Sequence, residues 1–193
     1  MGGHRIGLCG ECVVQDGLMT GIRNVTSLCI RVARDIVGIA PQLRPEHGSL
    51  LIIGPPGSGK TTMLRDVVRQ LSEKEAVALV DERGEVFPLC CGFSTGRKLD
   101  VLTNCSKKQG ITMVLRVMGP AYIAVDEITA QDDCDALLQA GWCGVRLLAT
   151  AHAADKYDLI SRPVYSPIVQ SGIFDSLLIL KPDKSWKMER MRL

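Results

Sequence analysis

"LLIIGPPGSGKTT", residues 50–62, runs four apolar residues into a glycine-rich turn that ends on Lys60 and Thr61. From Gly54 to Thr61 the spacing is G-x-x-x-x-G-K-T, and a buried strand before it with a helix after it is the setting this pattern requires. Gly54, Pro55, Pro56, Gly57, Ser58 and Gly59 then form a loop whose backbone N–H groups converge on phosphate oxygens, while the helix start adds its positive dipole end. Lys60 supplies a cation for the β- and γ-phosphates, Thr61 a hydroxyl for Mg²⁺, and Thr62 completes the cradle. Strand, loop, Lys-Thr pair and helix all agree, which favours a nucleotide site over a plain glycine turn.

Outward from this loop the chain alternates apolar strands with helices. Strands are expected at 49–54, 76–80, 121–126 and 145–151, helices at 60–71, about 106–118 and about 130–140, and a last strand pair around "SLLIL" (176–180) and "WKMERM" (186–191). Such alternation predicts an α/β fold with a parallel central sheet covered by helices. Upstream, 5–14 and 22–28 read as short strands around "DGLMTG" (16–21). "SLCIRVARDIVGIA" (27–40) carries Leu28, Val32, Ile36 and Ile39 or Ala40 at helical spacing behind Ser27, and predicts a helix.

Composition excludes several classes. A net charge of +2 and 4% aromatic residues give neither a basic patch nor a stacking platform, so no nucleic acid is expected as a partner. No apolar run approaches the roughly 18 to 20 residues of a membrane span, and the first residues lack a signal peptide's apolar stretch, so direct membrane insertion is not expected and the location is read as cytoplasmic. Eight cysteines, mostly within apolar stretches, read as reduced thiols; Cys9-x-x-Cys12 has no second pair to complete a zinc site.

Two acidic pairs end apolar strands. "YIAVDEI" (122–128) delivers Asp126 and Glu127, and "VALVDERGE" (77–85) delivers Asp81 and Glu82. With 76–80 taken as the second strand of a nucleotide fold and 121–125 as the third, Asp126 is the carboxylate on the metal side. Glu127 is then placed to orient or deprotonate the attacking water. Asp81 and Glu82 end on the same sheet edge and can reach the site, with a solvated "DERGE" turn as the alternative. "LLATAHAAD" (147–155) brings Thr150 and His152 to that edge, where a polar side chain can sense a γ-phosphate.

Taken together, "GPPGSGKTTMLRD", "VDERGE", "DVLTNCSKKQGITMVLRVMGPAYIAVDEI" and "GVRLLATAHAAD" resemble the ATPase core of the stage III sporulation protein AA family, a branch of the type II/type IV secretion ATPase superfamily with RecA-like folds. "GGHRIGLCGE" and "SLCIRVARDIVG" resemble the end of that family's N-terminal domain. The resemblance implies that residues 1–47 are the C-terminal part of a truncated N-terminal α+β domain with its linker, and that 48–193 form the RecA-like domain. It implies ATP and Mg²⁺ as cofactors. It makes "VDERGE" similar to an Asp box in which Glu82 or Glu85 supports the metal water, "AVDEI" similar to Walker B and "ATAH" to a His box. Arg116, in "LRVMGP", becomes a candidate for coupling to a neighbouring subunit, and Arg5, Arg23 and Arg31 become candidate donors to nucleotide. Ser176 departs from the family pattern, which often has Arg there.

The implied function is an ATP-hydrolysing motor that works as a homo-oligomeric ring, a hexamer when full length, in a membrane-associated secretion-like complex of endospore formation. Its location would be cytoplasmic, peripheral to the membrane through partner proteins. A small-molecule P-loop kinase of this length and a non-catalytic nucleotide-dependent scaffold are the alternatives.

Overall fold

The computed structural model describes residues 4–42, 48–88 and 91–191. Strands β1 (Arg5–Gln15) and β2 (Leu18–Arg31) form an antiparallel hairpin. Its two-residue turn is Asp16-Gly17, with φ of 53° and 78°, the left-handed pair that matches the twist of a tight hairpin. Ile6, Leu8, Leu28 and Ile30 share one face of the ribbon and are each half or more exposed. Cys9 and Cys12 are exposed on β1, on either side of a register irregularity between Cys9 and Glu11.

The helix expected over 27–40 is not there. Residues 27–31 continue β2, with Ser27 opposite Cys9 and Arg31 opposite Arg5, and 32–39 follow without regular structure. Leu28 and Ile30 satisfy a period of two as well as Leu28 and Val32 satisfy a period near four, and pairing with β1 decides between them.

A separate seven-stranded sheet forms the core. It comprises β3 (Leu50–Ile53), β4 (Val77–Asp81), β5 (Leu99–Thr103), β6 (Tyr122–Val125), β7 (Arg146–Ala151), β8 (Ser176–Leu180) and β9 (Trp186–Arg190), in the order β5-β4-β6-β7-β3-β8-β9. All but β9 run parallel. The expected α/β architecture is therefore present, with one strand more than the sequence reading supplies. β5 stands between β4 and β6 in the chain, so the strand leading to Asp126 is not the third in chain order. β5 adds at the outer edge of β4, however, and β4 still lies beside β6.

Helix α1 (Lys60–Leu71) covers one face. Met63, Leu64, Val67 and Val68 pack there on Leu50, Ile52 and Leu148. Helices α2 (Lys107–Val117) and α3 (Gln131–Trp142), with the short α4 (Lys156–Ser161) and α5 (Ser166–Ser171), cover the other, where Leu51, Ile53, Val125 and Ala149 point. Each fully buried Leu or Ile contributes about 1.5–3 kcal/mol, so this double-sided burial is the main source of stability.

The linker is fastened to α1. Asp66 accepts from the N–H of Gly38 (3.1 Å) and Ala40 (2.8 Å), Arg65 donates to the carbonyl of Arg34 (3.2 Å), and Arg69 pairs with both Asp35 and Asp66. Gln70 adds a bond to the Ala40 carbonyl (3.3 Å). Among the described residues, no helix is long and apolar enough to cross a membrane.

Candidate functional site

The sheet order explains how distant residues meet. β7 lies between β3 and β6, so the end of β7 separates the loop after β3 from the acidic pair after β6. Gly59, with φ of 100°, precedes α1 without a side-chain cap, and the first turn of α1 has no acidic residue. The first N–H groups of the helix are thus left for an anion.

Lys60, only 7% exposed, donates to the carbonyls of Gly54 (2.9 Å) and Pro55 (3.0 Å) and contacts Nδ1 of His152 (3.0 Å). Ammonium is donor-only, so Nδ1 accepts and the ring proton sits on Nε2, which lies 3.1 Å from Oε1 of Glu127. Burial lowers the pKa of Lys60, and the charges of Asp126 and Glu127 oppose that shift. Thr61 donates to Oδ2 of Asp126 (2.8 Å), Thr150 donates to Oδ1 of the same carboxylate (2.7 Å), and the Glu127 N–H donates to the Thr150 hydroxyl (2.7 Å). A chain of hydrogen bonds therefore leaves the loop at Lys60, passes through His152, Glu127, Thr150 and Asp126, and returns at Thr61. Tyr165, on the turn before α5, receives the His152 N–H and donates to the Ile128 carbonyl (3.3 Å each), which steadies the same segment.

Gly57, Gly59, Lys60, Thr61, Asp126, Glu127, Thr150 and His152 line one cavity of about 230 Å³. Two features fit it to MgATP. The Ser58 hydroxyl is the one buried side-chain polar atom among the described residues that has no partner, and a Cβ added at Gly54 would lie 2.5 Å from it and 2.8 Å from the Leu180 carbonyl. A loop this tight, with a hard-oxygen pair at Thr61 and Asp126 beside a buried lysine, suits phosphate oxygens and a small divalent cation.

The second acidic pair borders the site in another way. Asp81 is 1% exposed, and its oxygens accept from the N–H groups of Glu85 (2.9 Å), Val86 (2.9 Å) and Phe87 (3.1 Å). Burial raises its pKa against the effect of these three bonds. Asp81 holds the loop and does not present a free carboxylate. Glu82 is bound by Lys107 (2.7 Å), a buried cation that also approaches Asp133 (3.6 Å). Glu82, Glu85 and Glu127 nevertheless line one narrow cleft with Asp126, and Arg83 reaches Glu127 (3.4 Å). Lys107 escapes the sequence reading, although its place just after the Ser106 N-cap could have marked it.

The arginines separate. Arg31 borders a neighbouring cavity of about 330 Å³ with Thr61, Thr62, Arg34 and Arg65. Arg23 pairs with Glu11 on the exposed hairpin (2.9 Å), and the side chain of Arg5 lies outside the described residues. Arg116 is exposed nine residues along α2 from Lys107, about 13 Å further from the cleft along the helix axis. Ser176 is buried at the start of β8, opposite Leu50.

With this geometry in hand, the family described as "Sporulation stage III, protein AA" matches residues 1–189. The chain belongs to that family. It is 38% identical over 197 residues to stage III sporulation protein AA of Bacillus subtilis (strain 168), a match covering 95% of this chain and 64% of that protein. Among solved structures, the Legionella pneumophila ATPase DotB aligns with a TM-score of 0.54 at 22% identity, over 79% of this chain and 45% of that one. The pilus retraction motor PilT with bound ADP aligns with a TM-score of 0.59 at 16% identity, over 92% and 58%. These likenesses establish the RecA-like fold. The chain spans less than two thirds of the length of each of these three proteins.

Proposed function

We propose that this chain is the ATP-binding and ATP-hydrolysing part of a motor that acts in endospore formation, in a secretion-like complex. The observation that carries the reading is the hydrogen-bond chain from Lys60 through His152, Glu127, Thr150 and Asp126 to Thr61, closed around one cavity. Lys60 and the backbone of 54–62 would hold the phosphates, and Thr61 and Asp126 would hold Mg²⁺. Bound Mg²⁺ supplies charge neutralisation on the phosphate oxygens during phosphoryl transfer. Glu127 is the acceptor for a proton from the attacking water, and His152, donating through Nε2, keeps that carboxylate oriented. Glu82, tied to Lys107, supports the rim of the cleft.

We further read 1–47 and 48–193 as two units; the boundary itself lies outside the described residues. Arg31, beside Thr62, is the hairpin arginine best placed for nucleotide. A hexameric ring, peripheral to a membrane through partner proteins, is the assembly that the family membership supports; light scattering across protein concentrations, with and without nucleotide, tests it.

The deciding experiment compares MgATP turnover by the Glu127→Gln and Glu82→Gln variants, with nucleotide binding checked in both. Loss of turnover in Glu127→Gln with only partial loss in Glu82→Gln is expected. A dead Glu82→Gln beside an active Glu127→Gln moves the catalytic carboxylate to the end of β4, and binding without hydrolysis in the assembled protein favours a scaffold.

A further inference from the structure

Thr150 is fully buried at the penultimate position of β7, opposite Ile52 of β3. A threonine hydroxyl has one proton to give and two lone pairs. Here the proton goes to Oδ1 of Asp126, and the oxygen accepts from the Glu127 N–H, both at 2.7 Å. The Thr150 carbonyl also accepts from the Ile128 N–H at 2.8 Å. Between those two anchored amides, Glu127 has φ of 56°, a left-handed conformation that a non-glycine residue keeps only when its surroundings enforce it.

We propose that Thr150 is a positioning residue for both carboxylates of the site. Its hydroxyl turns Asp126 so that Oδ2 faces Thr61, and it holds the left-handed turn that carries Glu127 to His152. With its single proton committed to Asp126, Thr150 has none to give a phosphate, which sets aside the sensing role that the sequence suggests for it. The proposal rests on the ATPase reading and goes beyond it, because it makes the register of β7 set the catalytic geometry.

The test uses Thr150→Val, which keeps the shape and removes the hydroxyl, and Thr150→Ser, which keeps the hydroxyl and removes the methyl. For Thr150→Val, kcat for MgATP should fall about 10- to 100-fold, the usual cost of losing a partner of a metal-binding or catalytic group. KM and the metal-free affinity for a fluorescent ADP should change less than about threefold, and the strengthening of ADP binding by Mg²⁺ should be lost. Thr150→Ser should restore both kcat and the Mg²⁺ effect. The idea is overturned if Thr150→Val keeps both, or if Thr150→Ser is as impaired as Thr150→Val, since the methyl and its packing would then matter and not the hydroxyl. If the wild type binds nucleotide but does not hydrolyse it, the motor reading fails and the Mg²⁺-dependent binding of the two variants still decides the role of Thr150. A wild type that binds no nucleotide overturns both.

Discussion

Nζ of Lys60 lies 3.0 Å from Nδ1 of His152, and that contact fixes which ring nitrogen carries the proton offered to Glu127. Lys60, the cation we propose for phosphate, and His152 are therefore one hydrogen-bonded unit. Replacing His152 with Ala should lower kcat about 100-fold, the lower range for a group that orders proton transfer, with KM nearly unchanged. Steady-state turnover with a parallel affinity measurement checks this; equal losses in kcat and affinity would instead make His152 a binding residue.

Removal of the Lys60 ammonium leaves the Gly54 and Pro55 carbonyls without their donor and the site without its buried cation. Lys60→Met should weaken nucleotide binding about 10- to 100-fold, as expected for a charge-assisted contact worth roughly 1.5–3 kcal/mol. Titration with a fluorescent nucleotide reads this directly, and an affinity within twofold of wild type would show that the loop backbone suffices.

Gly54 has no room for a side chain. An added Cβ would press on the Ser58 hydroxyl and the Leu180 carbonyl, the second of which is backbone and cannot swing aside. Gly54→Ala should cost about 1–3 kcal/mol in urea unfolding and reduce nucleotide affinity as well. A variant with full stability and affinity would mean that the loop relaxes freely.

Asp66 gives the linker a pH dependence. Burial raises its pKa, but the N–H groups of Ala40 and Gly38, with Arg69 and Gln70, outweigh this and hold the carboxyl below its ordinary value of 3.8. A folded pKa below the unfolded one means stabilisation that is complete above about pH 3.8 and is lost as pH falls through the depressed value. Wild-type stability should drop in that acid window. Asp66→Asn should be about 1–3 kcal/mol less stable at neutral pH and flatter in acid; parallel pH curves for the two chains would rule Asp66 out as the cause.

How much was legible depended on whether the deciding contacts were local. The phosphate loop and its helix are written in one continuous stretch, and "AVDEI" and "ATAH" announce themselves as polar residues at the ends of buried strands. The region 27–40 reads as a helix because Leu28, Val32 and Ile36 fit one, whereas partners 18 to 26 positions away, from Ser27 with Cys9 to Arg31 with Arg5, make its first five residues a strand. The alternation of Leu99, Val101 and Thr103 could have revealed β5, which is only half-buried at the sheet edge. Asp81 looked like a free carboxylate because nothing in "DERGE" says that the loop folds back onto it. Thr150 could be placed at the sheet edge, but its partners are 23 and 24 residues away and follow from β7 lying beside β6.

The fastening of residues 34–40 to α1 has a mechanical consequence. Arg65, Asp66, Arg69 and Gln70 grip the linker along the same 12-residue helix whose first two residues are Lys60 and Thr61. A rod of that length is about 18 Å long and stiff. A pull on the hairpin should therefore be passed through these bonds into α1, the single shaft that also carries Lys60 and Thr61.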